Sequence, residues 1–134
     1  MSCLADKVVV ITGSAFGIGR AIAQQAAAAG AKVVIADLPA EHDAGEWTAK
    51  ECEAEGSPGA MYVPCDVSEG KQVAALMEAA AEAYGGIDVV YANAGVVSSA
   101  LVLSRCQHCT VPAGWRWPSP GFALTAGAHR CRTG

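Results

Sequence analysis

The sequence predicts an α/β fold: a truncated, doubly wound parallel sheet of about four strands in the order β-α-β-α-β-α-β, with an irregular C-terminal tail. Three observations carry that expectation. Short, continuously apolar runs alternate with longer stretches of helical periodicity, a glycine-rich turn directly follows the first apolar run, and composition changes character beyond Leu103. Runs that are apolar throughout, rather than at every second residue, suit strands covered on both faces.

The first strand is expected over Lys7–Thr12. It runs into Thr12-Gly13-Ser14-Ala15-Phe16-Gly17-Ile18-Gly19, and an Ala-rich helix is expected over Gly17–Ala29, stopping at Gly30. Lys32–Asp37 reads as the second strand, about Glu41 to Glu55 as a helix halted by Gly56, and Ala60–Val63 as the third strand. Ser68 is the expected N-cap of a third helix, because Val73, Leu76, Met77, Ala80 and Tyr84 then fall on one face. Gly85-Gly86 ends it, Ile87–Ala92 is the fourth strand, and Asn93-Ala94-Gly95 begins a loop. Such alternation implies parallel strands joined by right-handed crossovers, with a ligand crevice at their carboxyl ends, and in the doubly wound order 3-2-1-4-5-6 a sheet that stops after the fourth strand leaves that strand at an edge.

Candidate binding residues fall at those ends. A glycine-rich turn that opens a helix binds phosphate, because glycines admit an anion close to the backbone and the helix start presents unpaired N–H groups and a positive dipole end. The spacing is Gly-x-x-x-Gly-x-Gly, and no Lys follows Gly19, which argues against a phosphate loop of the Gly-Lys-Ser/Thr type. Asp37 closes the second strand 24 positions after Gly13, near the separation at which an acid reaches a ribose hydroxyl pair. Its charge repels a 2′-phosphate, and Ser14, Ala15 and Phe16 supply no Arg or Lys to neutralise one, so NAD is expected over NADP. The plainer alternative makes Asp37 a loop-starting or capping acid before Pro39. Asp66, after the third strand, can accept from an adenine amino group or serve simply as a turn residue.

Thr12–Gly19, Asp37, Asp66-Val67 and Asn93-Ala94-Gly95, in this order and spacing, resemble the short-chain dehydrogenase/reductase family over roughly residues 4 to 103. A methyltransferase of related fold is the nearest competitor, against which Asn-Ala-Gly after the fourth strand argues. The resemblance implies a Rossmann-like fold in which Gly13, Gly17, Ile18 and Gly19 cradle the pyrophosphate, with Ser14 and Phe16 in the same turn. It further implies that Asp37 and Leu38 hold the adenosine ribose, Asp66 and Val67 contact adenine, and Asn93, Ala94 and Gly95 line the cofactor and steady the sheet. Ala92 stands where the commoner motif has an additional Asn.

The catalytic part of the pattern has no counterpart. The family uses a Tyr with a Lys four residues later, aided by a Ser and an upstream Asn, to move the proton beside the hydride path. Four residues after Tyr62, Tyr84 and Tyr91 stand Asp66, Asp88 and Gly95, and neither Tyr nor Lys occurs after Tyr91. Ser98, Ser99 and Ser104 lie too early for the catalytic serine. No catalytic residue is therefore expected, and substrate identity is not legible.

Composition sets the remaining bounds. The 134 residues, 52% hydrophobic, suffice for about one domain, and no apolar run reaches the ~18 residues of a membrane span. The start lacks a basic stretch followed by an apolar block, which favours the cytoplasm and reduced thiols. Through Leu103, five Lys or Arg face thirteen acids, a net of −8, whereas four Arg and no acid follow, a net of +4. The expected division is therefore an NAD-binding segment over 1–103 and an irregular, disordered tail over 104–134 that resembles an alternative exon, retained intron or frameshift. In that tail Cys106 and Cys109 with His129 and Cys131 invite a zinc reading, but the second pair is too cramped for chelation, so no metal is expected. Trp115, Arg116 and Trp117 are too few for nucleic-acid binding. Three functions stay open: the NAD-binding portion of an oxidoreductase without catalysis of its own, a non-catalytic NAD or ADP-ribose module, and an unstable product. The oligomeric state is unknown.

Overall fold

In a computed structural model, which describes residues 4–96, the strands β1 (Val8–Thr12), β2 (Lys32–Asp37), β3 (Ala60–Pro64) and β4 (Val89–Tyr91) form one sheet in the order β3-β2-β1-β4. Every pairing is parallel, with Val10 opposite Val34 and Val90, and Val34 opposite Met61. Helices α1 (Gly17–Ala28), α2 (His42–Ala54) and α3 (Gly70–Tyr84) connect them. The expected α/β sheet is thus present strand for strand, and the tail expected over 104–134, with its cysteines, histidine and tryptophans, lies outside the described residues.

Why the strands are apolar throughout is visible in their two faces. Val9, Ile11, Val33 and Ile35 pack beneath α1 and α2 with Ala23, Ala26, Ala27, Ala49 and Cys52, while Val10, Val34 and Ala36 pack against Leu76 and Ala80 of α3. Successive side chains point to opposite faces and both faces are covered, so no position can be polar without a buried partner. Full burial of a side chain such as Ile11 or Ile35 contributes about 1.5–3 kcal/mol. Small residues set the helix distances. A Cβ on Gly45 of α2 would collide with the Tyr62 ring of β3, so α2 lies close on the sheet.

The elements differ from expectation mainly at their ends. Lys7 lies outside β1, because its N–H donates to Leu4 O and pairing begins at Val8. A 3-10 turn over Pro39–Glu41 precedes α2, with Pro39 in the first-turn position that its missing N–H tolerates. β4 is shorter than Ile87–Ala92, since Asp88 precedes the ladder and the Asn93 N–H folds back onto Tyr91 O. Ser68 is not the cap of α3: the N-cap is Glu69, whose carbonyl receives the N–H groups of Gln72 and Val73. Asp66 takes the Ser68 N–H and hydroxyl instead, a local turn that competes with capping. Gly85 closes α3 as expected.

Candidate functional site at the carboxyl ends of the strands

Four hydrogen bonds tie the glycine-rich turn to the strands beneath it, three of them to the end of β2 and one to β1. The Ser14 N–H donates to Ala36 O at 3.2 Å, the Ala36 N–H donates to Ser14 Oγ at 3.1 Å, and Ser14 Oγ donates to Ile11 O at 2.7 Å. Fully buried, Ser14 therefore spends its hydroxyl on joining β1 to β2 beneath the turn. The fourth bond runs from the Ala15 N–H to Asp37 Oδ2 at 2.8 Å, and the other carboxylate oxygen, Oδ1, accepts from the Leu38 N–H at 2.9 Å. From above, Thr48 Oγ1 on α2 donates to Ala15 O at 3.1 Å. Each carboxylate oxygen has about two lone-pair sites, so Asp37 keeps acceptor capacity at both oxygens after these bonds.

Asn93 ties the loop after β4 to the same turn. Its Nδ2 donates to Thr12 O at 3.2 Å and to Gly13 O at 3.0 Å, while the Ala94 N–H donates to Thr12 Oγ1 at 3.1 Å. This close approach explains two of the glycines. A Cβ on Gly13, which has φ +66°, would lie 2.7 Å from Ala94 Cα, and one on Gly19 would meet the Gly13 backbone and, at 2.7 Å, Asn93 Nδ2.

Gly17 differs: with φ +58° it has no heavy atom within 4 Å of a Cβ position, so the space in front of the α1 N-terminus is open. The N-cap is Phe16, extended and without a side-chain capping bond, and the first turn carries no acid. The first N–H groups of a helix have no intrahelical partner, and here no side chain of the cap supplies one. The large hydrophobic side chains left exposed are grouped in the same region. Apart from Trp47, those exposed among the described residues are Phe16, Ile18, Leu38, Val67, Tyr91 and Val96, all at or just after the carboxyl ends of the four strands. Such apolar surface around a few convergent polar groups is the usual make-up of a small-molecule site.

Asp66 lies after β3, its Oδ1 accepting the Ser68 N–H at 2.9 Å and hydroxyl at 2.7 Å. Those bonds hold its carboxyl below the ordinary carboxylate range. Gln72 Oε1 accepts the Asp66 N–H at 2.9 Å, fixing the turn from α3. Asp66 Oδ2 takes no bond among the described residues. Gly95 is exposed loop beside the half-buried Ala94.

Other reactive groups are held out of chemistry. Burial, then Glu55 and Glu51, pushes the Cys52 thiol up to about 11, and burial raises Cys65, so both stay protonated and unreactive near neutral pH. Burial also raises the phenols of Tyr62 and Tyr84. Among the described residues no cluster of three His, Cys, Asp or Glu could hold a metal ion, and no helix is long and apolar enough to cross a membrane.

Thr12 and Thr48 are the site residues that motif reading passes over. Thr12 falls within the Thr12–Gly19 motif, and its hydroxyl accepts from the Ala94 N–H. Thr48 stands with Gly45, Ala49 and Cys52 on the buried stripe of α2, and a hydroxyl at a buried helical position was the signal available.

Strand order, alternation and the turn at the sheet's carboxyl end define a Rossmann-like α/β fold. The family model described as short chain dehydrogenase matches residues 7–110, and the chain belongs to that family. Over 96 residues it is 44% identical to a (+)-cis,trans-nepetalactol synthase of Nepeta racemosa, covering 71% of this chain and 33% of that protein. It is 39% identical over 97 residues to a (−)-isopiperitenol/(−)-carveol dehydrogenase of Mentha piperita, covering 72% and 35%. Among solved structures it is similar to a short-chain type dehydrogenase/reductase from Mycobacterium marinum, with a TM-score of 0.66, 37% identity and coverage of 71% of this chain and 37% of that one. The chain thus spans about a third of the length of the relatives it matches.

Proposed function

We propose that this chain carries the adenosine and pyrophosphate part of the dinucleotide site of an oxidoreductase, with NAD preferred over NADP. The observation that carries the reading is the Asp37 carboxylate, oriented by two backbone N–H groups beside an open, uncapped helix start. In this reading the turn Gly13–Gly19, including Ser14, Phe16, Gly17 and Ile18, meets the pyrophosphate, the backbone N–H groups at the α1 start supplying the donors. Asp37 and Leu38 hold the adenosine ribose, the free lone pairs of the carboxylate accepting its hydroxyls and its charge opposing a 2′-phosphate. Asp66 Oδ2 and Val67 meet adenine, and Asn93, Ala94 and Gly95 hold the strand that the cofactor crosses. The bound cofactor supplies hydride transfer; no described residue is assigned a proton-transfer role.

The NAD-binding segment is assigned to 1–103 and residues 104–134 to a separate tail, in the cytoplasm. No Tyr in the sequence is followed four residues later by Lys, which supports binding without catalysis by the chain alone and keeps a non-catalytic NAD or ADP-ribose module as the second reading. Calorimetric titration with NAD, NADP and ADP-ribose tests both. Binding of NAD and ADP-ribose with similar affinity, and of NADP at least about tenfold more weakly, is expected, about 1.4 kcal/mol. Folded protein that binds none of them overturns the site. Hydride transfer by the isolated chain overturns the claim that it lacks catalysis.

A further inference from the structure

One helical turn below the glycine-rich turn, α1 and α2 are joined by an ion pair. The Arg20 N–H donates to Phe16 O at 3.2 Å, which places Arg20 one turn along α1 from its N-cap. On α2, Glu51 follows Thr48 by one turn, and its Oε2 accepts from Arg20 Nη2 at 2.5 Å and from Gln24 Nε2 at 3.3 Å. The two charged side chains are only 34% and 27% exposed, so solvent and salt screen the pair incompletely. The other cations among the described residues lie elsewhere. Lys7 and Lys32 stand at the amino ends of β1 and β2, Lys50 lines the groove beside β3, and Lys71 starts α3 on the opposite face of the sheet. Arg20 is therefore the cation placed within one turn of Phe16 and Gly17. A long helical side chain lies over the turn N-terminal to its own Cα, here the turn of Phe16 and Gly17, where the Gly17 side is open. Glu51 instead draws the guanidinium sideways onto α2.

We propose that Glu51 is a positioning residue for nucleotide selectivity: by pairing with Arg20 it withholds this guanidinium from the 2′ position of the adenosine ribose. The inference rests on the dinucleotide reading above, in which Asp37 holds that ribose. Asp37 Oδ2 takes the Ala15 N–H at 2.8 Å, so the ribose held there adjoins Phe16, the turn that a released Arg20 covers. A 2′-phosphate adds negative charge at that place, and a guanidinium is the side chain best suited to bind it. NADP is thus disfavoured twice, by the Asp37 charge and by a cation held out of reach. Removing the Glu51 charge frees Arg20 to turn back along α1, which strengthens NADP binding and leaves NAD, without a 2′-phosphate, nearly unaffected.

The test measures NAD and NADP affinities by calorimetry for the full chain, Glu51→Gln, Arg20→Gln and the double variant. Glu51→Met, which keeps the length of the side chain without its charge, takes the place of the Gln form where that does not fold. Glu51→Gln is expected to bind NADP about three- to tenfold more tightly and NAD within about twofold of wild type. That gain should shrink as salt is raised and vanish in the double variant. Arg20→Gln alone should leave the NAD-to-NADP ratio within about twofold of wild type, because its charge is already engaged. A merely structural pair predicts only losses of affinity, so a selective gain separates the two roles. An unchanged ratio in a folded Gln or Met form overturns the proposal. So does an equal gain in the double variant, which assigns the effect to the Glu51 charge alone, or weaker NADP binding in Arg20→Gln, which shows Arg20 already at the phosphate. A wild-type chain that binds neither nucleotide overturns the underlying site reading and this inference together, whereas wild-type NAD binding with no NADP gain in Glu51→Gln overturns this inference alone.

Discussion

Two carboxylates take a backbone N–H from the chain at opposite ends of β1, and they differ in what occupies their other oxygen. At the amino end, Asp88 Oδ2 accepts from the Val8 N–H at 2.9 Å and Oδ1 meets the Lys7 ammonium at 3.1 Å. At the carboxyl end, Asp37 accepts from the Ala15 and Leu38 N–H groups, and no cation pairs with it among the described residues. Asp88 closes a structural contact with its charge compensated. Asp37 is oriented but has no compensating cation among the described residues, and it lies beside the glycine turn and the exposed apolar side chains Phe16 and Leu38. The same chemical group thus fastens the sheet with its charge paired at one end and keeps free acceptor capacity at the other, the difference lying in the second partner.

The comparison is sharpest where substitution should damage the carboxyl end alone. Gly19→Ala is expected to have the largest effect: its Cβ would press on the Gly13 backbone and Asn93, which closes the turn, lowers stability by about 1–3 kcal/mol in urea titrations and removes measurable NAD binding. Asn93→Ala leaves the Thr12 and Gly13 carbonyls without their side-chain donor and is expected to cost about 1–3 kcal/mol, read as a lower midpoint of unfolding. A midpoint equal to wild type would show that the loop after β4 does not brace the turn. If Asp37 opposes a 2′-phosphate as proposed, Asp37→Asn should lower the NAD-to-NADP affinity ratio about tenfold, or roughly 1.4 kcal/mol, with little change in stability.

The smallest effect belongs to the amino end. Asp88→Asn should change stability by no more than about 1 kcal/mol, because the Lys7 pair is exposed to solvent, and it should leave nucleotide affinity unchanged. The Val8 N–H, followed by Lys7, holds the Asp88 carboxyl below its ordinary value. A depressed folded value means that the ionised form stabilises the fold above an unfolded pKa of about 4, and that this contribution is lost as pH falls through the lower folded value. Thermal melts of Asp88→Asn should accordingly fall less steeply on acidification than those of wild type. A change in nucleotide affinity in this variant would break the proposed separation between the two ends.

Much of the architecture was legible from residues 7–91, because strand and helix periods are local and the crossover rule leaves few ways to order parallel strands. Misjudged details came from local competition. Ser68 has the right chemistry for a cap, but Asp66 two residues earlier captures its N–H and hydroxyl. Ser14 reads as a member of the turn, yet its hydroxyl joins Ile11 to Ala36.

By itself the sequence determined the alternation of elements, the turn Gly13–Gly19 and the positions of Asp37, Asp66 and Asn93 at strand ends, since periodicity and spacing depend on near neighbours along the chain. Tertiary structure alone decided which hydrogen-bonding groups were spent and which kept capacity. Asp37 meets Ala15 across 22 positions, Thr48 meets Ala15 across 33 and Asn93 meets Gly13 across 80. Partners so far apart are chosen by how helices and strands pack, because burial makes each lost bond costly and so selects the one arrangement that satisfies the turn.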